Sequence, residues 1–184
     1  MAEIIDSIDW KAPIAEMFLA RQEMQKADIQ GVFSYDLPNL AATEDEITAT
    51  EQALNVSFDA GHRQFLAHAN GWAHFHQSVT LFGTKELAEG PLRDTALEAI
   101  AVIDEMRADM YEEPSFPTHD LLPIGATLED ADIFAMIIQD GRVEHEVLWL
   151  ANGELVDRYE SFGEFFMSMV EYTRRRTAKL RGKG

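Results

Sequence analysis

The sequence predicts an α+β fold: N-terminal helices, a central antiparallel sheet, a helical insertion and a C-terminal closing helix. Three observations predict it. Helix-start signals stand at Thr43-Glu44-Asp45-Glu46 and Ser161-Phe162-Gly163-Glu164, where a hydroxyl and a carboxylate three residues on can satisfy free amides reciprocally. Tight-turn pairs, Asp140-Gly141 and Asn152-Gly153, separate apolar runs of strand length, and Asn-Gly is the strongest short hairpin signal because both residues accept positive φ. Helices and strands also occur in blocks rather than in βαβ alternation, which favours α+β over a parallel sheet. Neither G-x-G-x-x-G nor G-x-x-x-x-G-K-[ST] occurs to argue for a nucleotide-binding α/β fold.

Taken in order, residues 12–26 read as a first helix, with Pro13 in its first turn and Ile14, Met17, Phe18 and Arg21 on one face. Gly31 is expected to stop it. Residues 32–42 read as an extended connection around Pro38. Thr43 opens a second helix, and Asp59 caps a third in which Phe65, Leu66 and Ala69 point inward. From Trp72 to Phe82 the pattern fits one or two strands, so His74 and His76, two apart, are expected to share a face. Thr84 starts a short turn. Residues 92–110 repeat apolar side chains at helical spacing, and 111–120, with Pro114 and Pro117, form a loop. Four strands follow: 121–124, whose Pro123 suits an edge or an end, then 132–139, 143–150 and 154–159. Ser161 begins the last helix.

The chain's 184 residues fit one domain at roughly 100–200 residues each. There is no cysteine, so disulfides, thiolate metal sites and a cysteine nucleophile are excluded. The acidic N-terminus lacks a signal peptide's apolar stretch, and no run approaches the ~20 apolar residues of a membrane span. A cytoplasmic location is therefore expected. The net charge is −18. Six of the 15 basic residues lie in the last eleven positions, leaving nine against 33 acidic residues in 1–173, a charge of −24. Such a body repels nucleic acid and anionic membranes and suits a basic protein partner.

Three blocks carry a resemblance. The first is Leu37-Pro38, Thr43-Glu44-Asp45-Glu46-Ile47 and Glu51-Gln52-Ala53-Leu54-Asn55-Val56. The second is Phe65-Leu66-Ala67-His68-Ala69-Asn70-Gly71-Trp72. The third joins Leu122-Pro123-Ile124-Gly125 to Ser161-Phe162-Gly163-Glu164-Phe165-Phe166. In order and spacing these resemble the SMI1/KNR4, or SUKH, superfamily. The chain departs from it at Asn55-Val56-Ser57-Phe58, at Ala126-Thr127-Leu128-Glu129-Asp130 where glycines are usual, and in the long helical stretch over 92–120. The resemblance implies an SMI1/KNR4-like domain with a core of about 37–173; residues 1–36 read as an N-terminal helical extension and 174–184 as a basic tail, a helix C-terminus followed by a frayed end. It also implies a protein-binding scaffold without a shared active site, as in proteins that neutralise bacterial toxins and in fungal cell-wall regulators.

Few residues suggest chemistry. His62 and His68 fall on different helix faces, and no H-E-x-x-H spacing supports a metal. No serine lies in a nucleophile motif. No catalytic, metal-binding or cofactor-binding residue is assigned. The expected protein-binding residues are Trp72, His74, Phe75 and His76 after the Asn70-Gly71 turn, and the acidic Glu112, Glu113, Glu129, Asp130 and Asp132. Trp72 and Phe75 equally suit a core. The leading functional expectation is an immunity protein that binds a basic toxin, such as a nuclease. A regulatory scaffold with an endogenous partner is the alternative, ahead of a metal enzyme using His74 and His76.

Overall fold

A computed structural model describes residues 9–108, 116–117 and 120–182. Among them the chain forms α1 (Lys11–Ala27), α2 (Glu44–Leu54), α3 (Ala60–Leu66), β1 (Trp72–His76), β2 (Val79–Leu81), α4 (Thr84–Ala88), α5 (Pro91–Ala108), β3 (Leu121–Ala126), β4 (Ile133–Gln139), β5 (Arg142–Ala151), β6 (Glu154–Tyr159) and α6 (Phe162–Arg181). The six strands make one antiparallel meander in sequence order. This is the expected α+β architecture.

Local chemistry explains most boundaries. Thr43 Oγ1 accepts the Glu46 amide, and the Glu46 carboxylate accepts the Thr43 amide at 2.7 Å, closing the predicted capping box. At α6 only half of the second box forms. Ser161 Oγ accepts the Glu164 amide at 3.1 Å, but the Glu164 carboxylate reaches the Glu160 amide instead. Helix α1 ends before Gly31: the Asp28 carboxylate accepts the Val32 and Phe33 amides, and this turn halts the helix. Both tight turns behave as read, with Asp140-Gly141 at φ 51° and 74° and Asn152-Gly153 at 52° and 82°.

Pro123 is not at an edge. It lies in β3, an interior strand, where the register with β4 shifts between Pro123 and Gly125. That irregularity accommodates a residue with no amide to donate.

Every residue of β3 and residues 133–136 of β4 are buried, so both faces of the middle strands are covered. Helix α6 covers one face, with Phe165 4.8 Å from Phe134 and 5.6 Å from Tyr159, ring centre to ring centre. Helix α5 packs against β3. An aromatic cluster joins α6 to the N-terminal helices: Trp10, just before α1, lies 5.2–5.5 Å from Phe65, Phe162 and Phe166. Trp10 is fully buried, so the N-terminal extension inserts into the main core.

Helices α1 and α6 run parallel. Glu16 pairs with Arg174 at 2.9 Å and Glu23 with Arg181 at 2.5 Å, so the two bridges are seven residues apart along both helices. Beside the first bridge Met17 and Thr173 meet in the interior. Seven residues are two helical turns, the repeat of a packed helix pair. The basic stretch from Arg174 belongs to α6, which continues to Arg181.

Candidate functional site

The expected binding residues divide sharply. Trp72 and Phe75 have no exposed surface and pack on each other, with Phe75 5.3 Å from Phe166. The Trp72 indole donates inward to the Asp36 carbonyl at 2.8 Å. Of their two readings, the structure shows the core one; buried rings offer a partner nothing to grip.

His74 and His76 do not share a face. Strand β1 spans four residue steps, Trp72 to His76, against two steps of β2, Leu81 to Val79. His74 takes up the excess with φ 48°. A residue with positive φ breaks the period-2 alternation on which the same-face expectation rests. His74 Nδ1 therefore meets Asp36 Oδ2 at 2.6 Å on the outside, while His76 turns inward. The bulge is held by Arg21 of α1, whose guanidinium donates to the His74 carbonyl at 2.6 Å, the Phe75 carbonyl at 3.0 Å and the Ser34 carbonyl at 3.0 Å. Burial pushes the Arg21 pKa down from its ordinary value, and Asp36 opposes that shift.

His76 forms the floor of a cleft. Its ring lies 5.2 Å from Trp149 and 6.0 Å from Tyr172, both nearly perpendicular to it. Its Nε2 is 3.1 Å from the Gln77 side-chain amide. Burial holds its pKa down at about 4, helped by the nearby Arg176 and Arg21 and opposed by Asp130. At neutral pH the ring is uncharged.

The acidic loop between β3 and β4 lies beside this floor. Asp130 accepts the Ser78 hydroxyl at 3.3 Å, and Asp132 accepts the Trp149 indole N–H at 2.9 Å. Burial raises the Asp132 pKa, and the indole bond works against the rise. Glu129 and Asp130 are exposed. The fold therefore brings His76, Asp130 and Asp132 into one region around Trp149, with Glu129 adjoining. His74 stands on the far side of the bulge. Glu112 and Glu113 lie outside the described residues, as does His119.

Trp149, the neighbour common to His76 and Asp132, was missed in the sequence because Val147-Leu148-Trp149-Leu150 reads as an undivided apolar run. A second long-range pair escaped notice as well. His145 Nδ1 lies 2.7 Å from Asp59 Oδ1, while Asp59 Oδ2 caps α3 through the His62 amide. The hydrogen bond to Asp59 raises the His145 pKa. Among the described residues, no group of three or more His, Asp or Glu is placed to hold a metal ion. Among the described residues, no helix is long and apolar enough to cross a membrane.

A search of curated proteins finds no match to this sequence. A family comparison does. The SMI1/KNR4 family (SUKH-1) matches residues 41–168, a span that runs from the capping box of α2 through the six-stranded meander into α6. It takes in the Leu122-Pro123-Ile124-Gly125 strand, the Asn70-Gly71 turn and the Ser161 helix start that carry the resemblance in sequence. With well over half of the chain matched and the expected order of elements in place, this protein belongs to the SMI1/KNR4 family (SUKH-1).

Proposed function

We propose that this chain is a non-enzymatic, cytoplasmic protein-binding domain of the immunity type, which neutralises a cognate toxin by covering a basic surface of it. The family match over residues 41–168 carries this reading, because the family is known for immunity-type protein-binding domains. The charge supports the choice of partner. A net charge of −18 steers a basic protein towards the chain and away from nucleic acid. A toxin that acts on nucleic acid presents the basic surface that such a field attracts.

The proposed contact region is the β3–β4 loop with its neighbours: Glu129 and Asp130 exposed, Asp132 braced by Trp149, and His76 behind them. His74, paired to Asp36 on the far side of the bulge, is left outside this region. Bracing matters because a side chain already fixed loses less freedom when a partner docks. The exposed carboxylates act mainly on association rate.

The test is affinity capture from source cells across a salt series, followed by mass spectrometry. The expected catch is a basic toxin domain that is held at low salt and released as salt rises. Glu129→Lys with Asp130→Lys is expected to slow its association at least tenfold. Capture of endogenous regulatory proteins alone would overturn the toxin reading in favour of a scaffold. Binding indifferent to salt would overturn the electrostatic part.

A further inference from the structure

A cleft in this acidic chain is lined by basic side chains. Its cavity, about 500 Å³, lies between the C-terminal half of α6, the β1–β2 turn, Trp149 of β5 and Phe33 of the segment after α1. Pockets of roughly 300–1,000 Å³ are the usual size for small-molecule sites.

Helix α6 sorts its cations by face. Arg174 and Arg181 point to α1 and are paired with Glu16 and Glu23. Arg175, Arg176 and Lys179 point to the cleft. None of these three has a carboxylate partner among the described residues, although acidic residues outnumber basic ones by 33 to 15. Arg176 instead lies over the Phe33 ring at 4.9 Å, and Arg175 over Tyr172 at 5.9 Å. Arg175 stands on the rim, shared with a neighbouring groove lined by Asp157, Glu164 and Glu171. Arg176 and Lys179 are therefore the main positive charges within.

The floor is aromatic: His76, Trp149 and Tyr172. Trp149 is fixed by its bond to Asp132, and rigid rings give a planar ligand a surface to pack on. Both the cations and Phe33 lie outside residues 41–168, whereas His76, Gln77 and Trp149 lie inside. The cleft thus exists only where this chain's two flanking segments meet the family sheet.

We propose that this cleft binds a small organic anion in which a planar aromatic ring carries a phosphate, the chemistry of a mononucleotide. The phosphate would sit between Arg176 and Lys179, and the ring against Tyr172 and the edge of Trp149 left open to the cleft. Size and charge exclude a larger ligand of the same chemistry. A polyanion would run from the cleft on to a body of charge −24 and be repelled. A single phosphate stays within reach of the local cations, inside a screening length of about 8–10 Å.

The test is a titration of the intact protein with AMP, GMP, CMP and UMP at about 0.1–0.15 M salt, where the screening length is about 8–10 Å. It is followed by tryptophan fluorescence and, in parallel, by calorimetry. Trp10 and Trp72 are fully buried while Trp149 lines the cleft, so a change in emission reports on Trp149. At least one mononucleotide is expected to bind saturably, with adenosine and inorganic phosphate each at least tenfold weaker. Arg176→Glu and Lys179→Glu are each expected to weaken binding at least tenfold. Lys85→Glu, the same charge change on exposed α4, should leave it within twofold. No binding of any mononucleotide at millimolar concentration overturns the proposal, as does saturation by an oligoglutamate peptide alone. Equal affinity for inorganic phosphate, or an equal loss in Lys85→Glu, overturns it as well. Circular dichroism of each variant separates loss of binding from loss of fold.

Discussion

Arg21 donates to the carbonyl oxygen of His74 across 53 residues of sequence at 2.6 Å, and so ties α1, outside the family span, to the bulge in the family's first strand. The same guanidinium lies 5.8 Å from the Trp72 ring and 5.7 Å from Tyr35. Replacing it with methionine keeps much of the apolar stem and removes three donors at once. A buried carbonyl left unpaired costs about 1–3 kcal/mol, so Arg21→Met is expected to lose roughly 2–4 kcal/mol. Urea unfolding would measure this. Arg21→Lys should recover only part, since one ammonium cannot reproduce the planar fork.

His62 makes stability sensitive to acid. It is wholly buried beside Phe58 and Phe162, neither ring nitrogen has a partner among the described residues, and burial lowers its pKa to about 4. The folded value lies below the ordinary 6.5, so the unfolded chain binds the proton more tightly. The neutral ring's contribution is complete above pH 6.5 and is lost as pH falls from there towards 4. His76 acts in the same direction. His62→Phe is expected to flatten the fall in unfolding free energy between pH 7 and 4.5, by up to roughly 3 kcal/mol at one proton's worth of linkage. Unfolding curves at three pH values would show it. An unchanged slope would mean that His62 is not the proton acceptor.

His145 carries the opposite sign. Its bond to the buried Asp59 carboxylate raises its pKa, so its contribution is present below 6.5 and fades as pH rises through the folded value. His145→Gln should therefore cost more stability at pH 6 than at pH 8.5. The ring is largely exposed, which keeps the difference small.

Gly71 tolerates no side chain. It has φ +84°, and a Cβ there would stand 2.5 Å from the Gly83 amide nitrogen and 2.9 Å from the Leu81 carbonyl. The close approach lets Asn70 accept the Thr84 amide at 2.7 Å and donate to the Thr84 hydroxyl at 3.0 Å, which positions α4. Gly71→Ala combines backbone strain with a main-chain clash, each worth roughly 1–3 kcal/mol. It should lower the melting temperature far more than Gly31→Ala, which also has positive φ but open space around it.

The sequence showed those parts of the fold whose causes are local. Thr43 and Glu46 are three residues apart, and Asn152-Gly153 is its own turn, so both could be read directly. The hairpins among the last strands followed from their turns, whereas the pairing of β2 with β3 across α4 and α5 did not. What stayed hidden depends on distant partners. His74 appears as a strand residue until Arg21 is seen to hold its carbonyl. His145 appears alone until Asp59, 86 residues away, is placed beside it. Trp72 and Phe75 fit surface and interior equally on pattern, and only packing against Phe166 separates the two. The cleft could not be read at all. Its cations read only as the end of a helix until α6 is seen to turn Arg174 one way and Arg176 the other.

The parallel pairing of α1 with α6 also has a consequence for the order in which the molecule opens. Most sheet contacts join strands linked by short turns and re-form quickly, whereas docking α1 closes a loop of about 158 residues, judged from Glu16 to Arg174. Helix α1 is then the natural first unit to detach, with its amides exchanging with solvent ahead of those in β4 and β5. Its departure would release Arg21 from the β1 bulge and Phe33 from Arg176 together. A ligand seated beside Phe33 would work as a latch, slowing exchange in a helix that it barely touches.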